Sequence, residues 1–215
     1  MKRLLVSLAA VGLLVGLAAA PVGAASNPAT TCTGSLPPGT YGSITVPAGA
    51  TCDLGVGPVV VLGGVVVSPG ASFLLGYEGG PATGTINGGI VAIGAAQVAV
   101  HNALIHGAVS VQGGAGPFGC TAPFAPLCFS DLEDDTITGG VTINGYDGFW
   151  LGFIRNHVNG TVRLTNNNQP LDEIDVGSNV VHGSLFCSGN VPLENTGISA
   201  GGPSTVTGQD TCNGT

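Results

Sequence analysis

Val61-Leu62-Gly63-Gly64-Val65-Val66-Val67 sets an apolar residue two places before a glycine and an alternating apolar pair after it. The same order returns at Ile86 to Ala92, Ile105 to Val111, Ile137 to Ile143, Val158 to Leu164 and Val181 to Cys187. Weaker copies flank the set at Thr40 to Val46 and Val206 to Cys212. The glycines are Gly42, Gly63, Gly88, Gly107, Gly139, Gly160, Gly183 and Gly208, spaced by 21, 25, 19, 32, 21, 23 and 25 residues. Self-similarity at that period marks a stacked-repeat architecture.

The position two after each glycine reads Ile44, Val65, Ile90, Val109, Val141, Val162, Leu185, Asp210. Alternation from there onward predicts a strand with one face inward. The glycine precedes it, where a tight bend is expected. Asp210 breaks the column in the last copy, as a polar cap requires. A second apolar run begins nine residues before its glycine at Val98-Ala99-Val100, Leu151-Gly152-Phe153 and Ile174-Asp175-Val176. Short strands filling 19 to 25 residues leave no room for a helix. The predicted fold is all-β: a single-stranded, right-handed parallel β-helix of about eight coils, on the order of 35–40 Å long. Asn156 and Asn179 share the place four before the glycine, so amide ladders are expected at that corner.

Lys2-Arg3, the apolar stretch Leu4 to Ala20 and the small residues up to Ala25 predict a secretory signal peptide at 1–25; a retained membrane anchor is the rival. Residues 26–39 then form an N-terminal cap or linker, and 40–212 the β-helix domain. No later stretch is apolar and long enough to span a bilayer. After the leader the only cations are Arg155 and Arg163, which against twelve acids leave a net charge of −10. Such a surface excludes nucleic acid as a partner. Six cysteines in an exported chain are expected to pair. Cys187 and Cys212 each lie four after a repeat glycine, one above the other. Cys32 and Cys52 are one coil apart, and Cys120 and Cys128 close a short loop. The expected bridges are Cys32–Cys52, Cys120–Cys128 and Cys187–Cys212.

Thr85 to Ile93, Thr136 to Ile143 and Val158 to Leu164 follow a T-I-x-G-x-V-x-I theme. In this the chain resembles small exported parallel β-helix proteins of the pectate-lyase-like superfold. The resemblance covers Thr40 to Cys212 and implies the fold; it carries no recognised catalytic motif. Many proteins of that superfold cleave polysaccharides, so the resemblance makes a lyase or glycoside hydrolase the alternative to a non-catalytic scaffold.

The 32-residue spacing marks an insertion at 113–135, followed by a loop at 145–150. Solenoids place function on such excursions. Their rings, Phe118, Phe124, Phe129, Tyr146, Phe149 and Trp150, are the candidate binding residues for a sugar face or a protein partner. The plainer reading has them cover the rod's flank. Asp131, Glu133, Asp134 and Asp135 are the candidate Ca²⁺ ligands, although they lack a calcium-loop spacing and read more simply as solvated loop charge. Otherwise no metal or cofactor is expected. His106 and His182 are three coils apart, too far for one metal, and His101 and His157 read as surface histidines. Lyase chemistry on a uronate needs several cations, which this chain lacks. Hydrolysis of a neutral glycan needs two facing carboxylates. Asp147, Asp172 and Asp175, with Arg155 nearby, are the alternative catalytic set. The first expectation is a secreted or cell-surface structural or interaction protein, with an extracellular protein or a polysaccharide as partner and self-association through exposed strand edges.

Overall fold

The computed structural model describes residues 27–55, 57–81, 84–115, 128–170, 172–194 and 201–212. Among these every strand pair is parallel and no helix occurs. The chain coils through three sheets. In one rung Ala103–Ile105 lies in a leading sheet, Val109–Gln112 in a middle sheet and Phe129–Glu133 in a trailing sheet. The leading and middle sheets hold eight strands and the trailing sheet seven. Seven strands mark six rung-to-rung steps, so the solenoid makes about six closed turns rather than eight. The ends are partial. Thr30–Thr31 adds only a middle strand, and the last copy supplies Thr205–Val206 plus the single bridge of Asp210 to Leu185.

The repeat frame becomes the core directly. Ile44, Val65, Ile90, Val109, Val141, Val162 and Leu185 stack in register and are buried. Ile86, Ile105, Ile137, Val158 and Val181 form a second buried column. The glycines between the two columns serve packing, not an unusual backbone angle. A Cβ on Gly107 would stand 2.5 Å from the carbonyl carbon of Gly88, and one on Gly139 2.6 Å from that of Gly107. Backbone rests on backbone along this corner, and Gly88 N–H donates to Gly63 O at 2.8 Å. Only glycine fits such an approach.

Disulfides close both ends. Cys187 and Cys212 are 4.9 Å apart at Cα, one rung step, and Cys32 and Cys52 are 5.3 Å apart. These bridges fit an oxidising, extracellular environment. Cys128 is disulfide-bonded, and the expected partner Cys120 lies outside the described residues.

The asparagine ladder is present. Asn179 Oδ1 accepts from Asn156 N–H at 2.9 Å, Asn156 Oδ1 from Asp135 N–H at 3.0 Å, and Asp135 Oδ1 from Ala103 N–H at 2.8 Å. Each amide also donates to a strand carbonyl, Asn156 to Leu132 and Asn179 to Phe153. A second ladder runs at another corner, with Tyr146 N–H donating to Asn167 and Asn167 N–H to Asn190.

The acidic run is the main departure from expectation. Phe129–Glu133 is a strand of the trailing sheet, paired with Trp150–Ile154, and not part of a loop. Gly113–Ala115 also stays on the rod, where Ala115 bridges Asp147 and its N–H donates to Ala95 O. Both described ends of the expected 113–135 insertion thus belong to the rod; residues 116–127, with Phe118 and Phe124, lie outside the described residues.

Candidate functional site

The outer face of the trailing sheet is the chemically distinctive surface. Register aligns Ala99, Asp131, Gly152 and Asp175 in one outward column. His101 and Glu133 pair in the next, and Phe129 and Trp150 in the one before. Inward residues between them, such as Leu132 and Phe153, fill the core. A cavity of about 680 Å³ lies over these columns. Its floor includes Leu74, Ala99, Asp131 and Glu133, and its walls include Tyr77, Phe149 and Trp150. It crosses five rungs, from Leu74 to Asp175, a length on the order of 19 Å.

Small residues in the sheet make room for large rings. A Cβ on Gly152 would meet the Trp150 ring at 2.4 Å, so the indole lies across that glycine. From there its Nε1–H donates to Asp175 Oδ2 at 3.1 Å. Tyr77 lies over Gly55 in the same way, a Cβ there being 2.3 Å from the ring. Phe129 tilts against Trp150 at a centroid distance of 6.2 Å.

Beneath the rings three ionisable groups share protons. His101 Nε2 is 3.1 Å from Asp131 Oδ2, and its Nδ1 is 3.7 Å from Glu133 Oε2. All three residues are buried. Burial drives the Glu133 pKa up and the Asp131 charge adds to it; Arg155 and His101 only partly offset them, and it reaches about 7. Burial likewise raises Asp131, against the pull of His101. Burial lowers His101, but the Asp131 hydrogen bond and both carboxylate charges outweigh it, and its pKa is raised. Glu133 thus titrates near neutral pH, as an acid–base site requires. His101 Nδ1 and Asp131 Oδ1 make no hydrogen bond among the described residues.

Arg155 reaches this cluster from the corner beyond it. Asp134 and Arg155 both take left-handed backbone angles, with φ of 58° and 59°, one rung apart. Arg155 Nε and Nη2 donate to the two oxygens of Asp134, and Nη2 also donates to Glu133 Oε2, each at 2.9 Å.

The expected calcium quartet is divided by this geometry. Asp131 and Glu133 face the groove, Asp134 pairs with Arg155, and Asp135 sits in the ladder. The donor atoms of His101, Asp131 and Glu133 lie within 4.8 Å of one another, close enough for a divalent ion. The guanidinium already on Glu133 Oε2 opposes a second cation there.

Of the alternative catalytic set, Asp172 and Asp175 line the groove and Arg155 adjoins it. Asp147 does not line it; it is exposed and accepts from Asn168 Nδ2 at 3.1 Å. Alternation turns Asp175 away from the core, but the rings above leave it fully buried. Of the candidate binding rings, Phe129, Phe149 and Trp150 line the cavity. Tyr146 does not: it is fully buried in the core, where its hydroxyl donates to Ala96 O at 3.1 Å. Sequence reasoning missed Tyr77 and Glu78, and read His101 as a surface or corner residue although it is buried in the groove floor.

The fold and site define a parallel β-solenoid with an acidic, aromatic-walled groove on one face. Comparison with protein-family models, curated proteins and solved structures finds no match.

Proposed function

We propose that the protein is a secreted, carbohydrate-active β-solenoid whose trailing-sheet groove binds a polysaccharide and cleaves it by acid–base hydrolysis. One observation carries this reading. Asp131, Glu133, His101 and Asp175 come together in a groove walled by Phe129, Phe149, Trp150 and Tyr77. Rings give flat apolar faces for sugars, and protonated and ionised carboxyls give the two roles that hydrolysis needs. The rigid scaffold expected from the repeats holds both in place.

Glu133 is the proton donor, because its raised pKa keeps it protonated near neutrality. Asp175 is the base. It lies two rungs from Asp131 along one column, about 9.6 Å at Cα. Glu133 lies on the same strand as Asp131, so acid and base stand two rungs apart, which leaves room for a water beside the sugar, as inverting hydrolysis requires. Asp175 takes a proton from water, the oxygen of that water bonds to the anomeric carbon, and the glycosidic C–O bond breaks. Glu133 gives its proton to the departing oxygen. Arg155 and His101 position Glu133; after product leaves, Asp175 releases its proton to solvent and Glu133 takes one back from water.

The test is release of reducing ends from insoluble neutral and amino glycans by the mature chain. Turnover lost in Glu133→Gln and Asp175→Asn, but kept in Asp147→Asn, supports the reading. Absence of turnover on every glycan overturns the hydrolase, and retention on a glycan without turnover leaves a binding scaffold.

A further inference from the structure

We propose that this groove selects a glycan bearing free ammonium groups, a polymer of amino sugars, over neutral and uronate chains. The inference rests on the carbohydrate reading above and adds the substrate class. Six carboxyl side chains line the cavity: Glu78, Asp131, Glu133, Asp172, Glu173 and Asp175. No lysine or arginine is among its lining residues. Of the two cations that follow the leader, one offsets a single lining carboxyl from the groove's edge and the other lies away from it. Arg155 is bound to Asp134 and Glu133, and Arg163 lies over the Phe186 ring at 4.7 Å.

Charge density alone does not make a site, but Asp131 supplies a separate observation. Its Oδ2 faces His101, whereas its Oδ1 is buried and makes no hydrogen bond among the described residues. Asp131 is only 3% exposed and forms part of the groove lining. A buried carboxylate oxygen without a donor is costly. An ammonium brings three N–H donors and a positive charge to such a place. A sugar hydroxyl supplies a donor without the charge, and a uronate adds a further carboxylate to an already acidic groove. The walls suit the same ligand, because Trp150, Phe129, Phe149 and Tyr77 present ring faces that attract cations as well as sugar rings. Burial raises the Glu133 pKa most and the Asp131 charge adds to it; that second contribution falls when a cation enters.

Trp150 is the only tryptophan in the chain, so its fluorescence reports on this groove alone. The mature protein is titrated at low salt and mildly acidic pH with hexamers of β-1,4-linked glucosamine, β-1,4-linked glucose and galacturonate, with calorimetry alongside. The glucosamine hexamer is expected to bind at least about tenfold more tightly than the glucose hexamer. Added salt shrinks that advantage. The double variant Glu78→Gln/Asp172→Asn, on two exposed rim residues, is expected to reduce that advantage several-fold, and circular dichroism checks its fold. Equal affinity for glucosamine and glucose hexamers, or preference for galacturonate, overturns the charge selection while leaving the carbohydrate reading standing. Failure of all three to bind overturns both.

Discussion

Trp150 donates its indole N–H to Asp175 one rung away, at 3.1 Å, by lying flat across Gly152. The contact joins the groove wall to the proposed base. It needs the glycine, because a side chain at 152 would occupy the place of the ring. Gly152→Ala is expected to push the indole off its seat, shift its fluorescence to the red and weaken glycan binding. Trp150→Phe keeps a ring but removes a donor to a buried carboxylate. It is expected to cost about 1.5–3 kcal/mol in urea unfolding.

Glu133 gives the fold a pH dependence of definite sign. Its pKa is about 7 in the folded state against an ordinary 4.5. A raised carboxyl pKa means that the folded state binds the proton more tightly. Its contribution is therefore complete below about 4.5 and is lost as pH rises through about 7. Chemical denaturation across that range is expected to show falling stability in the native protein and a flatter profile in Glu133→Gln. If Glu133 is the acid, hydrolysis declines through the same range.

Asp135 occupies an asparagine position. Its Oδ1 accepts from Ala103 N–H as Asn156 and Asn179 accept from their neighbours, but its Oδ2 makes no hydrogen bond among the described residues. In the rungs above, the corresponding atom is an amide nitrogen donating to a strand carbonyl. Burial raises the Asp135 pKa well above the ordinary value. A proton on Oδ2 would let the acid imitate the amide. Asp135→Asn is expected to leave stability unchanged or higher at acidic pH, and to raise it where the native carboxyl ionises. Paired urea curves at acidic and alkaline pH read the difference.

Asn179 serves both sides of its corner. It accepts from Asn156 N–H and donates to Phe153 O. Asn179→Ala leaves that N–H and that carbonyl buried without this partner, so a loss of roughly 2–4 kcal/mol is expected. Asn159→Ala, outside the ladder, is the control.

The Cys187–Cys212 bridge closes a loop of 25 residues. The double serine variant is expected to lose about 3 kcal/mol. Hydrogen exchange should rise first in Thr205–Val206, the strand that ends the leading sheet.

The fold was legible because its rule is short: an apolar column on each side of a glycine, repeated. Register, core, terminal bridges and the Asn156–Asn179 ladder all follow from that frame. The site was half legible. The frame position nine residues before Gly107, Gly160 and Gly183, where the second apolar run starts, falls before Gly139 on Ser130, inside the strand Phe129–Glu133. That frame puts Asp131 in one column with Asp175 and Glu133 in one with His101. The neighbouring cysteine-rich excursion disguised the strand as loop. Tyr77 over Gly55 and Trp150 over Gly152 leave no such trace, because the reach of a ring across a sheet has no period. Tyr146 misled for the converse reason: a corner position gave no sign that its ring turns inward.

The stacked glycine corner has a consequence for how the molecule can change. Along that edge each rung must match its neighbour atom for atom, so a single inserted residue there would throw the whole stack out of alignment. Length can vary at the corner between the middle and trailing sheets, where the rung that holds Gly107 carries its extra residues in sequence. Growth or loss therefore comes most easily as an entire turn, duplicated or excised in one event, and each added turn would lengthen the groove by one step.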